Sequence, residues 1–243
     1  MGVTIVDTHG ARGSTGDPGP DEVGVREPAI RAQALYRFFH AEGEETQALR
    51  GVSLQVDSGE FVVVVGPSGS GKSTLLACLA GMDEPDGGTV YVAGQRITRQ
   101  PEPQRARLRA RMIGVLRQTG NLFDHLSLTQ NVTLARRLGD LPAADTHAML
   151  DSLGIARRAD ALPETLSGGE LVRAGLAMSL ACEPSILLAD EPTGELDSRS
   201  EARILDVLRA RVAGGTALLV ASHSDAVARA ADRVIRIQDG VVS

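Results

Sequence analysis

The sequence predicts an α/β fold, and three observations predict it. Phe61-Val62-Val63-Val64-Val65 is an apolar, mostly β-branched run of the kind buried on both faces of a parallel sheet. Gly66-Pro67-Ser68-Gly69-Ser70-Gly71-Lys72-Ser73-Thr74 follows with the spacing G-x-x-x-x-G-K-[ST], between that strand and a helical pattern. Further apolar runs at 113–116, 185–189, 216–222 and 233–237 alternate with helical stretches, the order from which parallel sheets are built.

Composition sets bounds. A chain of 243 residues suffices for one large domain, or one domain with a subdomain inserted. Hydrophobic residues make up 42%, yet aromatics only 2% and Trp is absent, so the core must be built from Val, Leu, Ile and Ala. A net charge of −6 argues against nucleic acid as the main partner. No apolar run approaches the roughly 18 residues of a membrane span, and the first residues lack a secretory pattern. A soluble, cytosolic chain is expected. Cys78 and Cys182 each fall in an apolar helical pattern and read as buried free thiols.

Taken in order, residues 10–28 are rich in Gly, Pro and charge and cannot bury enough apolar surface to order, so 1–28 reads as a disordered tail. Order is expected from Ala29. The segment 30–39 concentrates Tyr36, Phe38 and Phe39, 42–45 reads as a turn, and 47–56 alternates like a strand. A helix from about Lys72 ends at Gly81, which suits a left-handed C-terminal cap. A turn at 85–88 precedes a short strand at 89–92. The arginine-rich stretch 104–111 reads as a short helix with a solvated charged face. From 121 to 182 the pattern is helical throughout, broken at 139–142 and 161–163, which suggests a helical subdomain inserted into the α/β core. Helices are expected at 198–212 and 225–231.

The chemistry concentrates at three places. In the glycine-rich loop, Gly66, Gly69 and Gly71 let successive N–H groups point inward at an anion, and the following helix adds its positive end. Lys72 would lie across the β- and γ-phosphates and the Ser73 hydroxyl would ligate Mg²⁺, so the loop reads as a nucleoside triphosphate site. Second, residues 186–189 are apolar and end in Asp190 and Glu191. Alone this could be a strand running into an acidic turn. Beside a phosphate loop, Asp190 fits the carboxylate that Mg²⁺ needs, and Glu191, facing the other way, fits one that polarises the attacking water. Third, Ser167 is a good N-cap for a helix to about Leu180, and Gly168 and Gly169 leave N–H groups exposed, a second anion-binding helix start.

With these residues in place, the stretch 29–243 resembles the ATP-binding subunit of an ABC transporter. The phosphate loop, Gln118, Leu166-Ser167-Gly168-Gly169-Glu170, Asp190-Glu191, Asp197 and Ser222-His223-Ser224 match the family's motifs in order. The variant looks like the branch of macrolide-exporting and lipoprotein-releasing systems. The resemblance implies a RecA-like phosphate-loop NTPase core, an N-terminal antiparallel β subdomain and an inserted helical subdomain over about 119–182. It implies ATP and Mg²⁺ as cofactors. Glu191, His223 and Lys72 would be catalytic, with His223 on the γ-phosphate, and Gln118 would sense Mg²⁺ alongside Ser73 and Asp190. Phe39, or else Tyr36, would stack on the adenine. It also resolves the spare helix start: two copies would sandwich two ATP molecules, each held by one copy's phosphate loop (66–74) and the other's Ser167, Gly168 and Gly169, with Asp197 at the interface. An integral membrane permease would be the second partner, placing the chain on the inner face of the cell membrane. The chain departs from the family pattern at three places: Glu170 where Gln is usual, Ala177-Met178-Ser179 where Ala-Arg-Ala is common, and Glu195 where this branch often has Asn. Rival readings are a regulator of the cell-division type, a DNA-repair ATPase head, and a binding-only module.

Overall fold

The structure, a computed structural model, describes residues 27–41, 44–142, 145–194 and 196–242. The tail expected over 1–28 lies outside the described residues except for Glu27 and Pro28, and so does Glu195.

Two sheets share the chain. The first is antiparallel, with β1 (Ile30–Ala41) paired to β2 (Glu44–Val56) on one side and β4 (Gly87–Val92) on the other, and β4 continuing to β5 (Gln95–Arg96). The second is built on β3 (Phe61–Val65), β6 (Ile113–Leu116), β7 (Ile186–Asp190), β8 (Ala217–Ala221), β9 (Arg233–Gln238) and β10 (Val241–Val242). Its order is β10-β9-β3-β8-β7-β6, parallel from β9 to β6, with β10 antiparallel at the edge. The α/β core and antiparallel subdomain are thus as expected.

Alternation along β3 shows how the layers close. Val62 and Val64 belong to one buried cluster with the antiparallel sheet and α1 (Lys72–Leu79). Phe61 and Val63 belong to the other, with α5 (Gly168–Leu180), α6 (Ser198–Ala213) and the helices α3 (Leu128–Leu138) and α4 (Thr146–Ser152). A strand dry on both faces can afford no polar side chain, hence the valine run. α1 buries Leu75, Leu76, Cys78 and Leu79 between the two sheets and ends at Gly81, whose φ of 62° and bonds Gly81 N–H to Cys78 O and Met82 N–H to Ala77 O form a Schellman cap.

Three expectations need correction. Residues 117–127 are irregular, so the helical region begins at Leu128, where Ser127 and Gln130 form a capping box. The loop is held by Asn121 and by buried Asn131, which accepts from the Phe123 N–H and donates to the carbonyls of Phe123, Leu126 and Ser127. The arginine-rich helix α2 (Glu102–Met112) does not present solvated charges only. Arg105 pairs with Glu84 and Glu102, Arg109 pairs with Glu102 and donates to the Gly81 carbonyl, and Arg111 pairs with Asp140. Finally, Cys182 follows α5 in a turn and is half-buried, whereas Cys78 is buried in α1; both are free thiols. Burial raises the Cys78 thiol to about 12, so it stays neutral.

Leu79 is fully buried where α1 meets both sheets. Leu79→Ala is expected to lower stability by about 2–5 kcal/mol in a urea titration; a loss under about 1 kcal/mol would mean α1 does not brace the core.

Candidate active site

The site forms at the carboxyl ends of β3, β7 and β8, where open parallel sheets place their ligands. A cleft of about 670 Å³ is lined by Phe39, the loop residues Gly66–Gly69 and Gly71–Thr74, Gln118, Asp190, Glu191 and His223, with Asp239 and Gly240. Its size falls in the range of small-molecule sites.

The loop's shape depends on two glycines. A Cβ at Gly66 would run into the Ile237 carbonyl and the Ser70 hydroxyl, and one at Gly71 into the Ala48 carbonyl, where φ is also 104°. The loop is tied down by Ser70 N–H to Pro67 O (3.2 Å) and by Gly240 N–H to Ser70 O (3.1 Å). Ser70 contributes through its backbone: its side chain is 4% exposed, lies outside the cleft lining, and its hydroxyl has no protein partner. Lys72 opens α1 and donates from Nζ to the carbonyls of Gly66 (2.8 Å) and Pro67 (3.0 Å), arching across the mouth of the loop.

Glu191 is the second focus. Strand alternation places Glu191 opposite Asp190, yet both line the cleft. The correction lies in the backbone: Glu191 has left β7 with φ 47°, uncommon outside glycine, and its N–H donates to Ala221 O at 2.9 Å. Its carboxylate is fixed at both oxygens. His223 Nδ1 lies 2.9 Å from Oε1, and the buried Ser222 hydroxyl donates to Oε2 at 3.2 Å. The His223 side chain is 71% exposed and that of Glu191 17%, so the imidazole stands at the solvent edge over a sheltered acid. Behind them, Glu201 on α6 accepts from Thr193 (3.1 Å) and Ser224 (2.7 Å), binding the loop after β7 to α7 (Asp225–Ala230). Sequence reading gave no role to Ser222, Thr193 or Glu201; Ser222 beside His223 in the quoted motif was the available signal.

Gln118, exposed beyond β6, lines this cleft and also a neighbouring one of about 520 Å³ that includes Gly168 and Glu191. Phe39 lines the phosphate-loop cleft. Tyr36 does not, packing instead near Gly51 and Gly87. Ser167, Gly168, Gly169 and Asp197 are likewise not brought to the phosphate-loop cleft of their own chain. Ser167 and Gly168 are exposed, and a Cβ on Gly168 would meet nothing. Asp197 caps α6, accepting from the Ser200 hydroxyl and N–H and from the Arg199 N–H, bonds that lower its carboxyl below the usual range.

Two of the departures from the family pattern, at Ser179 and Glu170, are accommodated away from the cleft. The Ser179 hydroxyl donates to Val115 O at 2.7 Å. Glu170 closes a capping box: its carboxylate accepts from the Ser167 N–H (2.9 Å) and hydroxyl (3.0 Å), and from Arg158 Nε (2.9 Å).

A parallel sheet with a phosphate loop after a central strand, and paired acids at the end of a nearby one, defines a phosphate-loop nucleoside triphosphatase. The comparisons narrow the class. The family model described as ABC transporter matches residues 49–194. The chain is 38% identical over 218 residues to the macrolide export ATP-binding/permease protein MacB of Chlorobium luteolum, covering 88% of this chain and 33% of that protein. It is 37% identical over 223 residues to the lipoprotein-releasing system ATP-binding protein LolD of Novosphingobium aromaticivorans, covering 90% of this chain and 100% of that one. The chain therefore spans about a third of the MacB relatives it matches, at 33% and 35%. The dimeric structure of the bacterial ABC transporter cassette MJ0796 matches with a TM-score of 0.81 and 32% identity, over 87% of this chain and 95% of that one. Its post-hydrolysis dimer with ADP and Pi matches at 0.82 and 31%, over 88% and 97%. The chain belongs to the ABC transporter family and carries that family's ATPase cassette.

The Ser167 N–H, then Arg158, hold the Glu170 carboxyl at about 2, against its ordinary 4.5. The folded value lies below the unfolded one, so this stabilisation is whole above pH 4.5 and is lost as pH falls towards 2. Glu170→Ala is expected to cost about 1 kcal/mol at pH 7, the gap to wild type narrowing in denaturant titrations below pH 4.5. No gap at neutral pH, or one that widens on acidification, would contradict the cap.

Proposed function

We propose that the chain is the ATP-binding and ATP-hydrolysing subunit of an ABC transporter, that two copies close around two Mg-ATP, and that this closure drives a separate integral membrane permease. The observation that carries it is the pairing of a complete phosphate-loop cleft with an outward-facing Ser167 helix start that lies outside that cleft. A second anion site on the same chain is useful only if another copy's nucleotide reaches it. Such a contact is isologous and closes under twofold symmetry, and the MJ0796 cassette is dimeric. No helix among the described residues is long and apolar enough to cross a membrane, which fits a subunit seated on the cytoplasmic side through its partner.

The residues fit Mg-ATP. Gly66 and Gly71 stand where a Cβ would collide with the Ile237 and Ala48 carbonyls, so only glycine lets the loop curl as a phosphate cradle needs. Among the described residues no cluster of three or more His, Cys, Asp or Glu could hold a metal alone. Mg²⁺ suits such a site, since it needs only one or two protein carboxylates and completes its shell from other oxygens, phosphate and water. Ser73, Gln118 and Asp190 would hold it, and it would neutralise charge between the β- and γ-phosphates. Lys72 exchanges the Gly66 and Pro67 carbonyls for phosphate oxygens. Glu191, held by His223 and Ser222, accepts a hydrogen bond from the attacking water and orients it. His223 presents its other nitrogen to the γ-phosphate, and Phe39 offers a ring to the adenine. The partner copy's Ser167, Gly168 and Gly169 would cap the same γ-phosphate, with Asp197 at the seam. Loss of that phosphate then loosens the pair.

Glu191→Gln is expected to lower ATP turnover by at least about a hundredfold while ATP still binds; equal turnover would remove Glu191 from this role. Lys72→Ala is expected to abolish ATP binding measured by calorimetry, and unchanged affinity would contradict the phosphate-loop assignment.

A further inference from the structure

We propose that Arg37 is a positioning residue for the nucleobase, covering one face of the Phe39 ring and leaving the other for a purine. The inference rests on the reading of Phe39 as the base platform and extends it. The Arg37 guanidinium carbon lies 4.6 Å from the ring centroid, within cation–π range. Two residues apart on one strand, both side chains project from the same face.

What sets Arg37 apart from an ordinary strand arginine is how completely it is held. Nε donates to Asp83 Oδ2 at 2.7 Å and Nη2 to Asp83 Oδ1 at 2.9 Å, a bidentate fork. Nη1 donates to Asp86 Oδ2 at 3.1 Å and to the Phe38 carbonyl at 3.2 Å. Asp86 Oδ2 also accepts from the Phe38 N–H at 2.8 Å, so the backbone beside the ring is fixed to the same acids. The Arg37 side chain is 21% exposed, whereas Phe39 remains 42% exposed and lines the cleft. One face of the ring therefore carries an immobilised cation while the cleft side stays open.

Asp83 and Asp86 follow the capped end of α1, the helix that begins with Lys72. The bracket thus ties the ring to the element bearing the phosphate loop, fixing where the base sits relative to the phosphates. A free exposed phenylalanine would lose side-chain freedom on stacking; one already braced loses less.

The test uses two ligands on the full chain, Mg-ATP and Mg-tripolyphosphate, which has the phosphates and lacks the base. Arg37→Ala is expected to weaken ATP by about two- to fivefold, the size of an exposed cation–π contact, with tripolyphosphate affinity unchanged. Arg37→Gln, which keeps a long polar side chain, provides the same ratio if the alanine variant folds poorly. Phe39→Ala is expected to weaken ATP at least as much, again sparing tripolyphosphate. ATP loss in Phe39→Ala with none in either Arg37 variant overturns the role of Arg37 alone. Equal losses for both ligands in the Arg37 variants also overturn it, since the bracket would then support the loop rather than the base. Unchanged ATP affinity in Phe39→Ala overturns the platform and this role together.

Discussion

The constraint on which the structure depends is the tight turn between β3 and α1, closed by backbone on two sides. Ile237 O presses on Gly66 and Ala48 O on Gly71, leaving no room for a side chain at either glycine. Gly240 fastens the arrangement, donating to Ser70 O while its own carbonyl accepts the Arg50 N–H at 2.8 Å. The loop is thereby gripped by β2 and by the β9–β10 corner. Strand order completes the cleft: β3 lies between β9 and β8, and β7 is next, so Asp190, Glu191 and His223 arrive at the ends of neighbouring strands.

The same frame explains which features were legible in the sequence. The phosphate loop, its flanking strand and helix, the Ser167 cap and the Asp190-Glu191 pair are local patterns whose meaning is carried by adjacent residues. The family resemblance left Phe39 and Tyr36 both open as the base platform, and of the two only Phe39 lines the cleft. What could not be read depended on partners distant in the chain. The arginines of α2 look like a solvated face until Glu84, some twenty positions earlier, folds against Arg105. Residues 121–127 fall in the stretch read as helical, but Asn131 in α3 holds the Phe123 N–H and the Phe123, Leu126 and Ser127 carbonyls in an irregular loop instead. Glu191 reads as pointing away from Asp190 because alternation assumes an extended backbone, and a left-handed residue at the strand's end breaks that assumption. Arg37 gives no signal in the sequence, since its bracket joins residues 46 and 49 positions apart.

A division of labour also emerges within the chain. The core beneath the glycine-rich loop is dry, with valines of β3 buried on both of its faces. The Ser167 helix start belongs to the helical region, held by its own capping box and the Arg158–Glu170 ion pair. Gln118, in the loop between them, lines both clefts. On the proposed function, that loop is where the state of the γ-phosphate is felt by the helical region, and hence by a permease.

The central claim is that one copy holds half of each working site. Sedimentation of the Glu191→Gln protein tests it most directly, with saturating Mg-ATP, with Mg-ADP and without nucleotide. A dimer in Mg-ATP that falls to monomer in the other two conditions is the expected result. A protein that stays monomeric in Mg-ATP, alone and with its permease, would contradict the account.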